Sequence, residues 1–243
     1  MAYRSDYGME FLKNVPSRDL NDLVYCLTHD KDGDPRLTEE LTSTSAYECY
    51  CPNHQRYWKE IAAEIQCFGA NSFMTMFRGG EGVLYREVLE DVCDKLNVGY
   101  SRSQNLATIE ENLLLKILRQ ALSEMSLQQK KELLDSLGID DVKNLNTSTL
   151  MIIFQTMIVA GGFKSYQLML IISNGVVKYF MGSGLSLATN AALTKGMSVV
   201  AGPIGWGISA LWTLMDLSGP AYRVTIPAVV HVALLRRKQQ VGA

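Results

Sequence analysis

At 243 residues, 47% of them hydrophobic and 20% charged, the chain is too apolar for intrinsic disorder and long enough for one large domain or two modest ones. Its formal net charge of −2 hides a division: residues 1–143 carry 16 basic and 24 acidic side chains, a net of −8, whereas residues 144–243 carry 7 and 1, a net of +6. The basic residues of the second region are scattered through apolar sequence and form no stripe, which excludes nucleic acid as the expected partner.

The opening Met1-Ala2-Tyr3-Arg4-Ser5-Asp6 has no apolar h-region, so no secretory signal is read and the expected compartment is the cytoplasm. The first amphipathic helix is expected from a Ser17 cap, with Leu20, Leu23, Val24 and Leu27 at helical spacing, ending at the polar turn 30–35. A second runs from about Asn53 through Trp58, Ile61, Ile65 and Phe68 to Gly69, where glycine suits a left-handed C-terminal position. A third follows the glycine turn 78–82, with Leu84, Val88, Leu89, Val92 and Leu96 on one face. Two sequences with capping-box spacing, Thr108 to Glu111 and Ser126 to Gln129, are expected to open helices ending near Met125 and Gly138. A linker follows over 138–149.

After residue 144 the texture changes to long uncharged runs rich in small residues. An apolar helix over 149–159 is interrupted by Gly161-Gly162 and resumes over 167–172 as far as Ser173-Asn174-Gly175. Gly184, Ala188, Ala192 and Gly196 recur every fourth residue and would form a smooth packing ridge on a helix. Residues 196–215 carry no charge and include Trp206 and Trp212, a length sufficient for a bilayer core, but the Gly202-Pro203 and Gly205 to Gly207 breaks favour a hairpin over a straight span. The last helix is expected to begin near Pro227 and to end in Arg236-Arg237-Lys238, a cluster suited to a helix C-terminus or to anionic headgroups.

No strand pattern or internal repeat emerges, so the fold expected is an all-α multi-helix bundle: an acidic amphipathic region over 1–143 and a basic, Gly/Ala-rich apolar region over 144–243. Candidate chemistry is sparse. Asp30, Asp32 and Asp34 open like a calcium loop, but Pro35 stands where the loop needs glycine and Leu41 where it needs a bidentate acid, so the stretch reads as a solvated acidic turn. Cys49, Cys51 and His54, with Cys26 and His29 upstream, make only half of a zinc pattern; the five cysteines, Cys67 and Cys93 included, read as free thiols. The 78–82 turn lacks the Lys-Ser/Thr ending of a phosphate loop, and Glu81 would repel phosphate. Of the histidines, His29, His54 and His231, none lies in a nucleophile motif, and His231 among valines reads as a packing residue. No catalytic residue, metal or cofactor is expected.

The stretch Ser218-Gly219-Pro220-Ala221-Tyr222-Arg223-Val224-Thr225-Ile226-Pro227-Ala228-Val229, followed by Leu234-Leu235-Arg236-Arg237, resembles the C-terminal signature of the bacterial YaaW family, grouped with ubiquinol-cytochrome c chaperone-like proteins. Phe68-Gly69, Asn71-Ser72, Arg78-Gly79, Gly82, Tyr85-Arg86 and Asp91-Val92 agree with that family's glycine turn and following helix, and residues 7–12 and 27–29 are also similar. The resemblance implies assistance to the assembly of a respiratory membrane complex and carries over no catalytic residues. Three functional expectations follow: a non-enzymatic protein that meets a membrane or a protein partner through its C-terminal half; an assembly chaperone or adaptor with an apolar groove over 151–172, adaptable through Met157, Met169 and Met181; and a membrane-permeabilising effector. The contact residues expected are Trp206, Trp212, Arg236, Arg237 and Lys238, with Tyr222, Arg223 and Pro227 as the family-signature turn. Self-association is compatible with all three, as is conditional attachment to the inner membrane.

Overall fold

The computed structural model describes residues 2–69, 82–186 and 221–242, with residues 205, 207–209 and 212 placed between the last two. Most of the 78–82 turn, Ala188, Ala192, Gly196 and Trp206 therefore lie outside the described residues. Those described are helical, with no strand beyond isolated bridges such as that between His29 and Pro35. An all-α fold is thus what the chain adopts.

Helix α1 (Ser17–Thr28) turns Leu20, Leu23, Val24 and Leu27 inward, as their spacing predicts. Pro16, not Ser17, holds its cap position, and the Ser17 hydroxyl instead donates to Asn53 Oδ1 at 2.7 Å. The short α2 (Ser45–Tyr50) buries nothing of its own and starts at Thr44, whose side chain accepts from Tyr47 N. A 3-10 turn at His54–Tyr57 leads into α3 (Trp58–Phe68), which buries Ile61 and Ile65. Gly69 is right-handed at φ −75°, so α3 does not end in the left-handed glycine expected. In α4 (Tyr85–Lys95) the buried face is Tyr85, Val88, Leu89 and Val92.

The two capping sequences fare differently. Ser126 accepts from Gln129 N while Gln129 reaches back to Ser126 N at 2.8 Å, opening α6 (Leu127–Ser136) as expected. Thr108 caps nothing: α5 (Leu106–Glu124) begins two residues earlier on Asn105, whose side chain accepts from Thr108 N at 2.9 Å. Glu110 and Glu111, freed from capping, are turned to other partners described below.

In the second region α7 (Thr147–Ala160) and α8 (Gly162–Met181) meet at Gly161 and Gly162, both at positive φ, which reverses the chain within one peptide. Helix α8 does not stop at 173–175 as expected, because Ser173, Asn174 and Gly175 are buried inside it and Asn174 Oδ1 accepts from Leu185 N at 2.9 Å beyond its end. That end is Gly182, left-handed at φ 69°. Gly184 consequently lies in irregular chain beyond the helix and not on a helical ridge; a Cβ there would stand 2.6 Å from Asn174 Oδ1.

Helix α9 (Tyr222–Val241) starts five residues before the expected Pro227, which sits inside it. The missing N–H leaves only the Arg223 carbonyl in the first turn without its helical donor, a modest cost at that place. From Val224 to Leu235 every residue of α9 is buried. It packs on α8 and also on α1, α3, α4 and α5, so one hydrophobic core, running from Met9 to Leu235, is continuous across the change of composition at residue 143. The uncharged 196–215 stretch contributes to the same core: Gly207 lies against the backbone of Ala121, and Trp212, only 2% exposed, packs on Phe180 at 5.2 Å between ring centroids.

Gly182→Ala is expected to destabilise the protein by about 2 kcal/mol or more in urea unfolding, since a left-handed φ is costly for alanine and the new Cβ would stand 2.7 Å from the Lys31 carbonyl oxygen. Gly99→Ala, with open space around its Cβ, is the control, expected within roughly 0.5 kcal/mol of the parent.

Candidate functional site

The C-terminal cations turn inward. Arg236 Nε meets Glu110 Oε2 at 2.9 Å, Arg237 Nη2 pairs with Glu111 Oε1, and Lys238 Nζ meets Asp19 Oδ1 at 2.9 Å. The Arg236 side chain is 16% exposed and its partner 2%, so this is an interior ion pair. The charge of Arg236, Arg237 and Lys238, expected as membrane or partner contacts, is matched within the chain by acids of the first region. Trp212, expected at the same surface, is in the core.

Around Glu110 the polar groups form a closed network. Tyr85 Oη donates to Glu110 Oε1 at 2.7 Å, and Arg236 Nη2 donates to the Gly8 carbonyl at 2.7 Å while the guanidinium lies 4.4 Å over the Phe11 ring. Asp6 continues it, accepting from Gly8 N at 2.8 Å, Tyr85 N at 2.6 Å and Gln66 Nε2 at 3.1 Å. Burial raises the Glu110 carboxyl pKa, opposed by Arg236 and Tyr85. Burial lowers that of Arg236, but the adjoining Glu110 and Tyr85 outweigh it and hold the guanidinium above its usual value.

Of the signature residues, Tyr222 donates to Asp91 Oδ1 at 3.2 Å with Lys95 5.1 Å over its ring, Arg223 is exposed, and Pro227 offers its carbonyl to His231 Nδ1 at 3.0 Å. A carbonyl only accepts, so the Nδ1 of buried His231 carries the proton, in keeping with the packing role expected of it. Burial lowers the His231 pKa, with the Asp22 charge acting against it. In the acidic turn, Asp30 Oδ1 accepts from Asp32 N at 2.9 Å and Asp34 N at 3.0 Å; these backbone donors, Asp34 first, lower its pKa. The carboxylate is thereby directed to its own loop. Among the described residues no group of three or more His, Cys, Asp or Glu is placed to hold a metal ion, and no helix is long and apolar enough to cross a membrane.

Among the described residues, one face of the apolar helix α7 is exposed. Its inner side buries Leu150, Met151, Phe154 and Ile158, while Ile152, Val159 and, just beyond its end, Phe163 are 67%, 76% and 49% exposed, with Met157 half-buried at the edge. The helix contains no charged residue, and the next cation, Lys164, is held by the Leu137 carbonyl at 2.7 Å. Met169 and Met181, expected in an adaptable groove, are buried in the core instead. The sequence carried a signal for this face in the absence of charge over 144–163, but two-sided apolarity does not say which side is covered. The Glu110 network was missed altogether; its signal was the match of the Glu110-Glu111 doublet with Arg236-Arg237.

An all-α protein organised round a buried apolar helix that ends in three paired cations, with an uncharged apolar face exposed among the described residues, is the class defined by this fold. A ubiquinol-cytochrome C chaperone family model matches residues 53–230, and a domain of unknown function matches residues 3–37. A UPF0174 protein of Helicobacter pylori (strain J99) is 48% identical over 240 residues, covering 99% of this chain and 94% of the relative. A second from that strain is 43% identical over 206 residues, covering 83% and 98%, and the UPF0174 protein YaaW of Escherichia coli (strain K12) is 32% identical over 241 residues, covering 97% and 95%. The chain belongs to the YaaW, or UPF0174, family. No solved structure matches it.

Arg236→Met is expected to cost about 3–5 kcal/mol in urea unfolding, because it strands a buried carboxylate, and the double variant Glu110→Gln/Arg236→Met to recover most of that loss; a single-variant loss below about 1 kcal/mol would mean the pair is hydrated. Glu64, 2% exposed on α3, has its pKa raised from 4.5 to about 7 by burial, partly opposed by the Glu40 N–H that its carboxylate accepts. A raised folded-state carboxyl makes stability greatest below pH 4.5 and loses it as pH rises through about 7. Glu64→Gln is therefore expected to remove on the order of 2–3 kcal/mol of pH-dependent loss between those limits, read from urea unfolding at pH 5 and pH 8.

Proposed function

We propose that this YaaW-family chain is a non-enzymatic, chaperone-like binding protein that holds an apolar helix of a membrane-protein client against the open face of α7. The observation that carries the reading is the exposure of Ile152, Val159 and Phe163 on a helix without charge. Such a face is costly in water and is covered when a second apolar helix lies along it. The name of the matching family model, ubiquinol-cytochrome C chaperone, supports the same reading. The cytoplasm is the compartment this role is assigned.

Docking on anionic lipid is less well supported, since its electrostatic half rested on Arg236, Arg237 and Lys238, which are paired with Glu110, Glu111 and Asp19. The test is a photo-crosslinking residue at position 159, with one at exposed Lys131 as control, activated in cells, beside flotation of the purified protein with vesicles. Adducts at 159 with hydrophobic helices of membrane proteins are expected, and abolished by Ile152→Asp. Vesicle binding by the purified protein without client adducts would replace the reading with membrane docking. Adducts only between copies of the chain would replace it with a homodimer.

A further inference from the structure

Away from the α7 face, the segment that joins α1 to α2 is fastened at both ends. Near α1, Arg36 N donates to the Thr28 carbonyl at 2.8 Å and Arg36 Nε to the Cys26 carbonyl at 3.2 Å. Near α2, Leu41 is fully buried at the start of a short 3-10 turn (Leu41–Ser43) that packs on α3. Leu37 and Thr38 between these points are exposed, so residues 37–43 form a strap whose seat in the core is Leu41.

Helix α3 meets the strap through Glu64. Its two carboxylate oxygens share the N–H of Glu40, at 3.3 and 3.2 Å. A carboxylate offers about four lone-pair sites, and Glu64 is 2% exposed, so one shared N–H replaces only in part the water its charge has lost. Glu39 and Glu40 of the strap bear on it with like charge, Cys67 lies one turn along α3, and the chain's amino group acts in the opposite sense. The Glu39 carboxylate accepts from Thr42 N at 2.9 Å, which holds that charge within the strap. Among the described residues no lysine or arginine is ion-paired with Glu64.

We propose that Glu64 is a pH-operated latch: protonated, it keeps the 37–43 strap seated with Leu41 in the core, and ionised, it favours a state in which the strap lifts and water reaches the carboxylate. The Glu40 hydrogen bond survives protonation, because a neutral carboxyl keeps an oxygen that accepts, while the buried charge and its repulsion by Glu39 are gone. The strap is the element that yields. Lifting it hydrates Glu64 and unseats Leu41, whereas turning α3 to bring the carboxylate out would expose Ile61 and Ile65 and break the two hydrogen bonds that Gln66 makes with the Arg4 backbone. Burial raises the carboxyl from 4.5 to about 7, and the lifted state returns it to its ordinary value. The latch therefore holds in full below pH 4.5 and is lost as pH rises through about 7, the sign expected of a carboxyl whose pKa is raised in the closed state.

Hydrogen exchange of the full chain, read by mass spectrometry at pH 5.5 and pH 8 and corrected for the intrinsic dependence of exchange on pH, tests the latch at the hydrogen-bonded amides of Glu40, Thr42, Ser43 and Thr44. Their protection is expected to lie at least about tenfold below that of α3 and to fall on the order of tenfold or more between the two pH values. In Glu64→Gln it is expected to be the same at both. Strap protection equal to that of α3 would mean that the strap leaves only when the protein unfolds, and strap protection independent of pH would mean that its opening does not hydrate Glu64. Either result in the wild-type protein overturns the proposal without need of any variant. A fall that persists in a folded Glu64→Gln overturns it by assigning the effect to another group. None of these results bears on the α7 client reading, which the latch does not require.

Discussion

The position of α9 rests on the Glu110 and Arg236 pair. Taking both charges out of water costs several kcal/mol, and the structure offsets that cost by giving the buried groups partners: Tyr85 Oη and Arg236 on the carboxylate, the Gly8 carbonyl and the Phe11 ring on the guanidinium. An apolar helix packed among apolar helices slides by a residue at little cost, because methyl groups are poor judges of register. Three successive cations that must meet Glu110, Glu111 and Asp19 are not. A slip of one residue would leave a carboxylate in the core without a donor. The ion pairs thus fix a register that hydrophobic burial alone leaves loose, and through Asp6 and Gln66 the same network ties the N-terminal segment to α3 and α4.

This also bears on the charge division. Part of the −8 of the first region and of the +6 of the second meets in one interior, since α9 carries Arg236, Arg237 and Lys238 to Glu110, Glu111 and Asp19. Between Val224 and Leu235 it has no charge to expose and is buried on all sides. A helix from the distant end of the chain at the centre of the core makes folding depend on contacts more than 100 residues apart, as between Glu110 and Arg236.

Much of the secondary structure was legible, because it is a local matter of spacing and caps. The stripe of Leu20, Leu23, Val24 and Leu27 and the Ser126 capping box hold as read. The errors have a common cause, in that tertiary partners outbid local ones. Thr108 and Glu111 have capping-box spacing, but Asn105 supplies the cap while Glu111 finds Arg237. Pro227 suggested a helix start, yet burial of α9 carries the helix through it. Arg236-Arg237-Lys238 looked like a surface cluster because sequence shows charges without their partners. The open face of α7 was half legible: its composition showed an apolar helix, and only packing on α5 and α8 shows which side stays uncovered.

Helices α7 and α9 have similar apolar middles and opposite fates, and the difference lies at their ends. Helix α9 is drawn inward by three cations with acids waiting for them, whereas α7 is held by Asn146 at one end and the Gly161-Gly162 reversal at the other, which fix its direction but supply nothing to cover its outer side. The surface left there is modest. Covering the exposed parts of Ile152, Val159 and Phe163 is worth roughly 4 kcal/mol, less than the rigid-body cost of bringing two proteins together. A partner seated on these three side chains alone would therefore not stay. On the function proposed above, holding a client helix requires it to reach further along the α7 and α8 hairpin, and its release requires only that part of that contact be lost.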